Sequence, residues 1–486
     1  MKRNTIGLYL GTIIFLACFI LPPPESLSLE AWRAGFIILL MAIWWITEAI
    51  PVYATGLIPL VLFPLLNILS IEKTASSYAN PLIFLFMGGF MIALSMQKWG
   101  LHKRIALSLL SLTGTRQRNL LGGFMISSAF LSMWVTNTAT TMMMLPIGLS
   151  VLTVIKTENE NHFIALRTPL VLAIAYAANI GGLATLVGTA PNALVASYFN
   201  EIYGFNISFF DWMMVGLPTS ILLLILTWFL LTRVIYRLPN TSIKGIDTLL
   251  KNSRRSQGPF TFGEAVTAVA FFLAALLWIS RPFIQKIFPA INISDAGIAM
   301  AISIMLFIIP SGKGNGGVLD WEWASRLPWG ILILFGGGLS IANAAVASGL
   351  SEWIGQEMSS MGSISIFIIC LIIITVVVFL TEVTSNTATI ATLLPILAAA
   401  AIALGENPLL LCIPATMAAS CAFMLPPATP PNAIVFGSGY VSIPQMARAG
   451  FLINFTAIAI LFLSSFIVVT RVFEITLGEI PIWVLN

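Results

Sequence analysis

Charge is scarce in this 486-residue chain: Asp, Glu, Lys and Arg together make up 9% of it, against roughly a quarter in soluble domains. Such a chain cannot present a water-solvated surface all round, so lipid is left as its solvent. Histidine is scarcer still. His102 and His162 are the only two, both in expected cytoplasmic loops, which excludes a histidine-based triad or histidine metal site at membrane depth. No lysine lies among the apolar motifs either, so a serine–lysine nucleophile is excluded and the chain reads as a non-enzyme. The four cysteines, Cys18, Cys370, Cys412 and Cys421, sit inside apolar runs without metal-ligand spacing and read as small core hydrophobes. Net charge is only +4 with no charged tail, which argues against nucleic acid as a partner. The opening Met-Lys-Arg and the apolar stretch from Ile6 to Leu21 resemble a leader, but Pro22-Pro23-Pro24 is no small-residue cleavage site, so a retained first helix is expected.

Hydrophobic residues, in contrast, make up 58% of the chain. Runs of about 18 or more recur, each long enough to cross the hydrocarbon core as a helix. The expected fold is an all-α polytopic membrane protein with spans near 5–21, 34–52, 55–71, 81–98, 168–200, 209–231, 260–281, 294–310, 328–350, 408–440 and 449–470. Two further apolar stretches, 119–155 and 363–404, have polar, helix-breaking centres and read as re-entrant hairpins. With the N-terminus cytoplasmic and the C-terminus outside, 18 of the 23 basic residues fall on the inner side, among them Lys2, Arg116, Lys156, Arg254 and Lys313. An inner, plasma-type membrane is the expected location. The Arg233–Arg255 stretch, with six basic residues against Asp247, reads as a cytoplasmic linker between two halves.

Those halves repeat. Thr136-Asn137-Thr138-Ala139-Thr140 recurs 249 residues later as Ser385-Asn386-Thr387-Ala388-Thr389, as does Leu85-Phe86-Met87-Gly88-Gly89 at Leu334-Phe335-Gly336-Gly337-Gly338. Gly188-Thr189-Ala190-Pro191-Asn192 recurs at an offset of 240 as Ala428-Thr429-Pro430-Pro431-Asn432. Five expected crossings separate the hairpins, so the repeats are expected to be inverted. Paired interruptions in two inverted halves point to a transporter's midplane site. The boundaries are then 1–32 for an extra helix, 33–240 for the first repeat, 241–259 for the linker, 260–472 for the second repeat and 473–486 for a tail.

Hydroxyls and amides at hairpin tips need partners, because an unbonded buried one costs on the order of 1–3 kcal/mol. Helices starting near Thr138 and Thr387 would aim free N–H groups at an anion. Unwound backbone at Gly188–Asn192 and Ala428–Asn432 would offer carbonyl oxygens to an alkali cation. The four motifs contain no Lys or Arg, so a dianion would need bound cations as counter-charge. Glu48 and Glu382 lie at or near membrane depth, either as proton or cation groups or as acceptors for backbone and hydroxyl donors.

With Trp44-Trp45-Ile46-Thr47-Glu48-Ala49-Ile50-Pro51, these motifs resemble those of the divalent anion/sodium symporter family over nearly the whole chain. The resemblance implies eleven helices plus two hairpins, a homodimer, and an elevator in which the hairpin-bearing domain slides against a scaffold. It implies substrate carboxylates at Thr136, Asn137, Thr138, Thr189, Ser385, Asn386, Thr387, Thr429 and Pro430. One co-transported sodium would lie near Ser132, Thr136, Asn137 and Gly188, the other near Thr381, Thr384, Asn386 and Ala428. Thr136 departs from the family's usual Ser, and its methyl narrows the pocket. The expected activity is sodium-coupled transport of di- or tricarboxylates such as succinate, malate, fumarate or citrate. Sodium-independent exchange and sulfate transport are the nearer alternatives, an anion channel or intramembrane enzyme the more distant ones.

Overall fold

The structure, a computed structural model, describes residues 3–290, 292–312, 316–359 and 365–485. Lys2, Lys313 and the first two positions of the 363–404 hairpin lie outside the described residues. Inside lipid every backbone group must be paired within the chain, and helices do this locally. The described residues are accordingly helical, with two isolated β-bridges, Arg116 to Ser242 and Pro310 to Gly317.

α1 (Arg3–Ala17) and α2 (Leu29–Thr47) are followed by α3, in two short pieces, Val52–Thr55 and Ile58–Leu65. Then come α4 (Pro81–Lys98), α5 (Leu101–Leu112), α6 (Gln117–Ser132), α7 (Asn137–Glu158), α8 (Glu160–Gly182), α9 (Ala190–Tyr203) and α10 (Phe209–Phe229). After α11 (Ile246–Arg255) the series resumes with α12 (Phe262–Ile287), α13 (Asp295–Ile308), α14 (Trp329–Ala347), α15 (Leu350–Ser359), α16 (Ile366–Leu380) and α17 (Asn386–Ala403). α18 (Leu409–Ala419), α19 (Pro430–Gly437) and α20 (Ile443–Ser464) complete it. Helix starts keep the repeat's offsets: Asn137 and Asn386 are 249 apart, Ala190 and Pro430 240 apart. Several long helices begin on reciprocal caps, as where Thr261 and Glu264 exchange hydrogen bonds with each other's backbone at the start of α12.

Among the described residues nine helices are long and apolar enough to cross a membrane. α8 is 83% buried over its apolar window and α12 only 33%, so α8 is the centre of the bundle and α12 faces outward. Small residues allow the closest crossings: a Cβ at Gly88 would lie 2.6 Å from Ala299 Cβ, which lets α4 lie against α13.

Two expectations need correction. The unwound backbone expected at 188–192 and 428–432 within the 168–200 and 408–440 runs lies a few residues earlier, at 183–189 and 420–429, so that each run is two helices. Hydropathy reports which solvent a segment prefers and not whether its backbone is continuous, so an apolar interruption is invisible to it. Asn192 and Asn432 are helical, and the unwound stretch lies upstream of them. The expected 55–71 span is the short broken α3 followed by a turn of helix, Ile71–Ser76. The linker also holds a helix, α11, whose Ile246 and Leu250 are buried.

Candidate functional site

The hairpin tips are the turns between α6 and α7 and between α16 and α17. At the first, Thr136 is the N-cap, its hydroxyl accepting from Ala139 N (3.3 Å). At the second, Ser385 holds the same position, but its hydroxyl makes no cap bond. Both tips and both interrupted helices face one cavity of about 920 Å³, and all nine residues expected to meet substrate line it: Thr136, Asn137, Thr138, Thr189, Ser385, Asn386, Thr387, Thr429 and Pro430. Thr138, Thr189, Ser385 and Thr387 are half-buried and, among the described residues, no protein group bonds their hydroxyls, which leaves four donors facing the cavity. The first turns of α7 and α17 add unpaired backbone N–H groups at the same wall.

Behind each tip lies a cluster of neutral oxygens. Ser132 Oγ donates to Asn137 Oδ1 at 2.7 Å. With the Asn137 amide turned over, its nitrogen would reach Ser132 Oγ at 2.7 Å and both Ala178 O and Gly188 O at 3.3 Å. That end of the amide therefore meets a ring of oxygens, which either the amide nitrogen or a cation can satisfy. No side chain fits nearby: a Cβ at Gly182 would lie 2.6 Å from Asn137 Oδ1, and one at Gly188 2.5 Å from Gly182 O. In the second half, Thr381 Oγ1 lies 2.5 Å from Asn386 Oδ1 and 2.8 Å from Ala419 O. Hydroxyl, amide and carbonyl oxygens are hard, neutral ligands suited to an alkali cation.

Of the cation-site expectations, Thr136, Asn137, Gly188, Thr384, Asn386 and Ala428 line the cavity, while Ser132 and Thr381 lie behind it, each bonded to its tip Asn. Like Thr381, Thr384 has its hydroxyl bonded to two oxygens, Leu380 O (2.8 Å) and Thr389 Oγ1 (2.7 Å).

Asn192 and Asn432 have an unexpected task. Asn192 Nδ2 donates to Gly182 O (3.0 Å) and Thr185 O (2.8 Å); Asn432 Nδ2 donates to Ala422 O and Leu425 O, both at 3.1 Å. All three positions shift by 240, so the same brace holds each interrupted segment. Glu382 acts as an acceptor: its carboxylate takes Phe423 N (2.7 Å), Met424 N (3.0 Å), Leu425 N (3.1 Å) and Asn454 Nδ2 (2.7 Å). It thereby ties the second tip to the 420–429 segment and to α20. Glu48 caps α2 in the left-handed region (φ 51°) and lies on the cavity wall.

Two wall residues escape sequence reasoning. Asn179, buried in α8, bonds Thr429 Oγ1 (3.0 Å) and meets Asn137 Nδ2 (3.4 Å), joining the two halves. An amide in the middle of the apolar Val171–Gly182 run was its signal. Arg3, on α1, lines the same cavity, so the cavity does have a basic side chain on its wall, although none lies within the four motifs.

The family described as "Sodium:sulfate symporter transmembrane region" matches residues 2–472. The chain belongs to this family. The divalent anion/sodium symporter resemblance is thus the right one, and the protein is a multi-pass membrane member of a transporter family. Among its relatives are the sodium-dependent dicarboxylate transporters SdcS of Staphylococcus aureus strains USA300 and N315. Both are 44% identical over 482 residues, covering 98% of this chain and 93% of theirs. Among solved structures, the Alcanivorax borkumensis YdaH transporter superposes with a TM-score of 0.55 at 11% identity over 98% of this chain and 99% of that one, a likeness of fold alone.

Proposed function

We propose that the chain is a sodium-coupled carrier of C4-type dicarboxylates that binds substrate between the two hairpin tips, with one cation behind each tip. The observation that carries this reading is the pairing at each tip of free hydroxyl and N–H donors facing the cavity with a ring of neutral oxygens behind it. One site thus offers donors to an anion and oxygens to a cation, and Asn137 and Asn386 belong to both. The SdcS relatives, named as sodium-dependent dicarboxylate transporters, support the choice of substrate and ion. The nine wall residues are the substrate contacts of this proposal, and Ser132, Thr136, Asn137, Gly188, Thr381, Thr384, Asn386 and Ala428 the sodium contacts.

The finer architecture belongs to the same proposal: eleven spanning helices with two hairpins, repeats at 33–240 and 260–472 inverted in the membrane, the N-terminus cytoplasmic, and a homodimer. Basic-residue placement supports the orientation. The cavity wall carrying Arg3 and Glu48 is then the cytoplasmic one, which makes this an inward-facing state. Exchange with the outside would proceed by an elevator movement of the hairpins, α8, α9, α18 and α19 against α1–α4 and α12–α14. Uptake of labelled succinate, malate, citrate and sulfate into proteoliposomes, with and without an inward sodium gradient, tests the reading. Sodium-driven accumulation of succinate is expected. Sodium-independent counterflow alone, or accumulation of sulfate alone, would replace it.

A further inference from the structure

Arg3 is the one basic side chain on the cavity wall among the described residues. Its Nη2 donates to Ile46 O at the end of α2 and to Val383 O (2.6 Å), two residues before Ser385 in the second tip. Neither acceptor carries charge. Among the described residues no carboxylate pairs with Arg3; Glu48, the acid on the same wall, forms no ion pair with it. The guanidinium is held in place by the seating of α1. A Cβ at Gly7 would lie 1.8 Å from Thr47 Oγ1 and one at Gly11 2.6 Å from Trp44 Nε1, so α1 rests directly on the end of α2 and cannot withdraw Arg3 without leaving it.

We propose that Arg3 is the fixed positive charge of the dianion cavity and a releasable clip, which holds the second hairpin tip through Val383 O until a carboxylate of the entering dianion takes over its guanidinium. The inference rests on the transport reading above. A guanidinium presents its donors as a planar fork that a carboxylate meets with two parallel bonds and an opposite charge, where a carbonyl offers one neutral oxygen. The exchange of acceptor is therefore downhill. It also neutralises part of a charge that is expensive to bring to membrane depth. Because Val383 leads directly into Thr384-Ser385-Asn386-Thr387, releasing its carbonyl frees the tip that closes on substrate.

The test uses purified full-length protein in proteoliposomes, with sodium-driven uptake of succinate by the unaltered chain as the reference. Arg3→Gln is expected to raise the half-saturating concentration about tenfold or more, as loss of a hydrogen bond to a charged group does. It should also flatten the dependence of that concentration on ionic strength, and Arg3→Lys should recover part of both. All four native cysteines are buried, so Arg3→Cys can be modified alone: an aminoethyl thiosulfonate adduct should restore affinity and a neutral methyl adduct should not. Wild-type half-saturation in Arg3→Gln, or indifference of Arg3→Cys to the charge of its adduct, would overturn the proposal. Should Arg3→Gln fail to reach the membrane, the Lys variant and the cysteine pair carry the comparison. Absence of sodium-driven uptake in the unaltered chain would instead defeat the transport reading.

Discussion

Thr136 and Ser385 occupy equivalent positions at the two tips and differ in one bond. Thr136 caps α7 through Ala139 N, whereas Ser385 makes no such bond to α17. Replacing each by Ala therefore has different consequences. Ser385→Ala should weaken succinate binding about tenfold, from loss of a hydrogen bond to a charged group, with the melting temperature unchanged. Thr136→Ala should weaken binding and also cost about 1 kcal/mol of stability through the lost cap. Equilibrium binding and thermal melting of the purified variants separate the two; unchanged affinity in Ser385→Ala would remove the second tip from the site. Asn137 carries a different expectation, since its amide borders both the oxygen ring and the cavity. Asn137→Asp adds a negative charge there, so it should retain sodium binding and lose succinate binding. Sodium-23 relaxation or calorimetry read beside succinate binding would show this, and a variant that keeps both ligands would refute the shared role.

Each interrupted helix is kept open by an asparagine from the helix that follows it. Asn192 satisfies Gly182 O and Thr185 O, and Asn432 satisfies Ala422 O and Leu425 O. Buried carbonyls left without donors cost about 1–3 kcal/mol each, so Asn192→Ala and Asn432→Ala should both lower the melting temperature more than Asn→Ala at an exposed site. The brace also sets where Gly188 O and Ala428 lie, so sodium affinity should fall in each variant by more than the affinity for substrate measured at saturating sodium. A variant that melts early with normal sodium affinity would confine the brace to stability. Glu382 supports the second interruption alone: its first-half counterpart by the repeat is Met133, whose side chain has no carboxylate to accept such donors. These braces were hard to read in the sequence. The Pro-Asn pairs marked the right places, but the pattern there could not say whether Asn faces a ligand or closes a gap in its own backbone.

At the scale of the whole molecule, α9 is joined to α4 and α14 by Glu201, whose carboxylate accepts from Asn80 Nδ2 (2.8 Å) and Asn343 Nδ2 (3.2 Å). If α9 travels with the hairpins, these bonds break at each cycle. Glu201→Ala should then change the maximal uptake rate by several-fold while leaving the half-saturating succinate concentration near that of the wild type. A change in half-saturation with an unaltered rate would place Glu201 in binding instead. Topology can be tested by single cysteines: one near Arg254 should react only with reagent on the cytoplasmic side, one near Lys73 only from outside. Linkage gives the last expectation. Sodium should raise succinate affinity by the same factor as succinate raises sodium affinity, measured at fixed ionic strength against choline. Equal succinate affinity in both salts would end the coupled mechanism.

Solvent preference and local capping are properties of neighbouring residues, and these the sequence determined by itself. The scarcity of charge placed the chain in lipid. The duplicated Thr-Asn-Thr and Ser-Asn-Thr triplets located both tips, because a polar cap at the break in an apolar run can start a helix wherever it occurs, and α7 and α17 begin at Asn137 and Asn386. The tertiary structure decided what depends on residues distant in sequence meeting in space. Asn179 reaches Thr429 across 250 positions and Arg3 reaches Val383 across 380, and neither contact has a local signature. The interruptions at 183–189 and 420–429 stand between the two: their Pro-Asn motifs mark them locally and Asn192 and Asn432 brace them locally, while Glu382, from the second hairpin, takes up the freed N–H groups of 423–425.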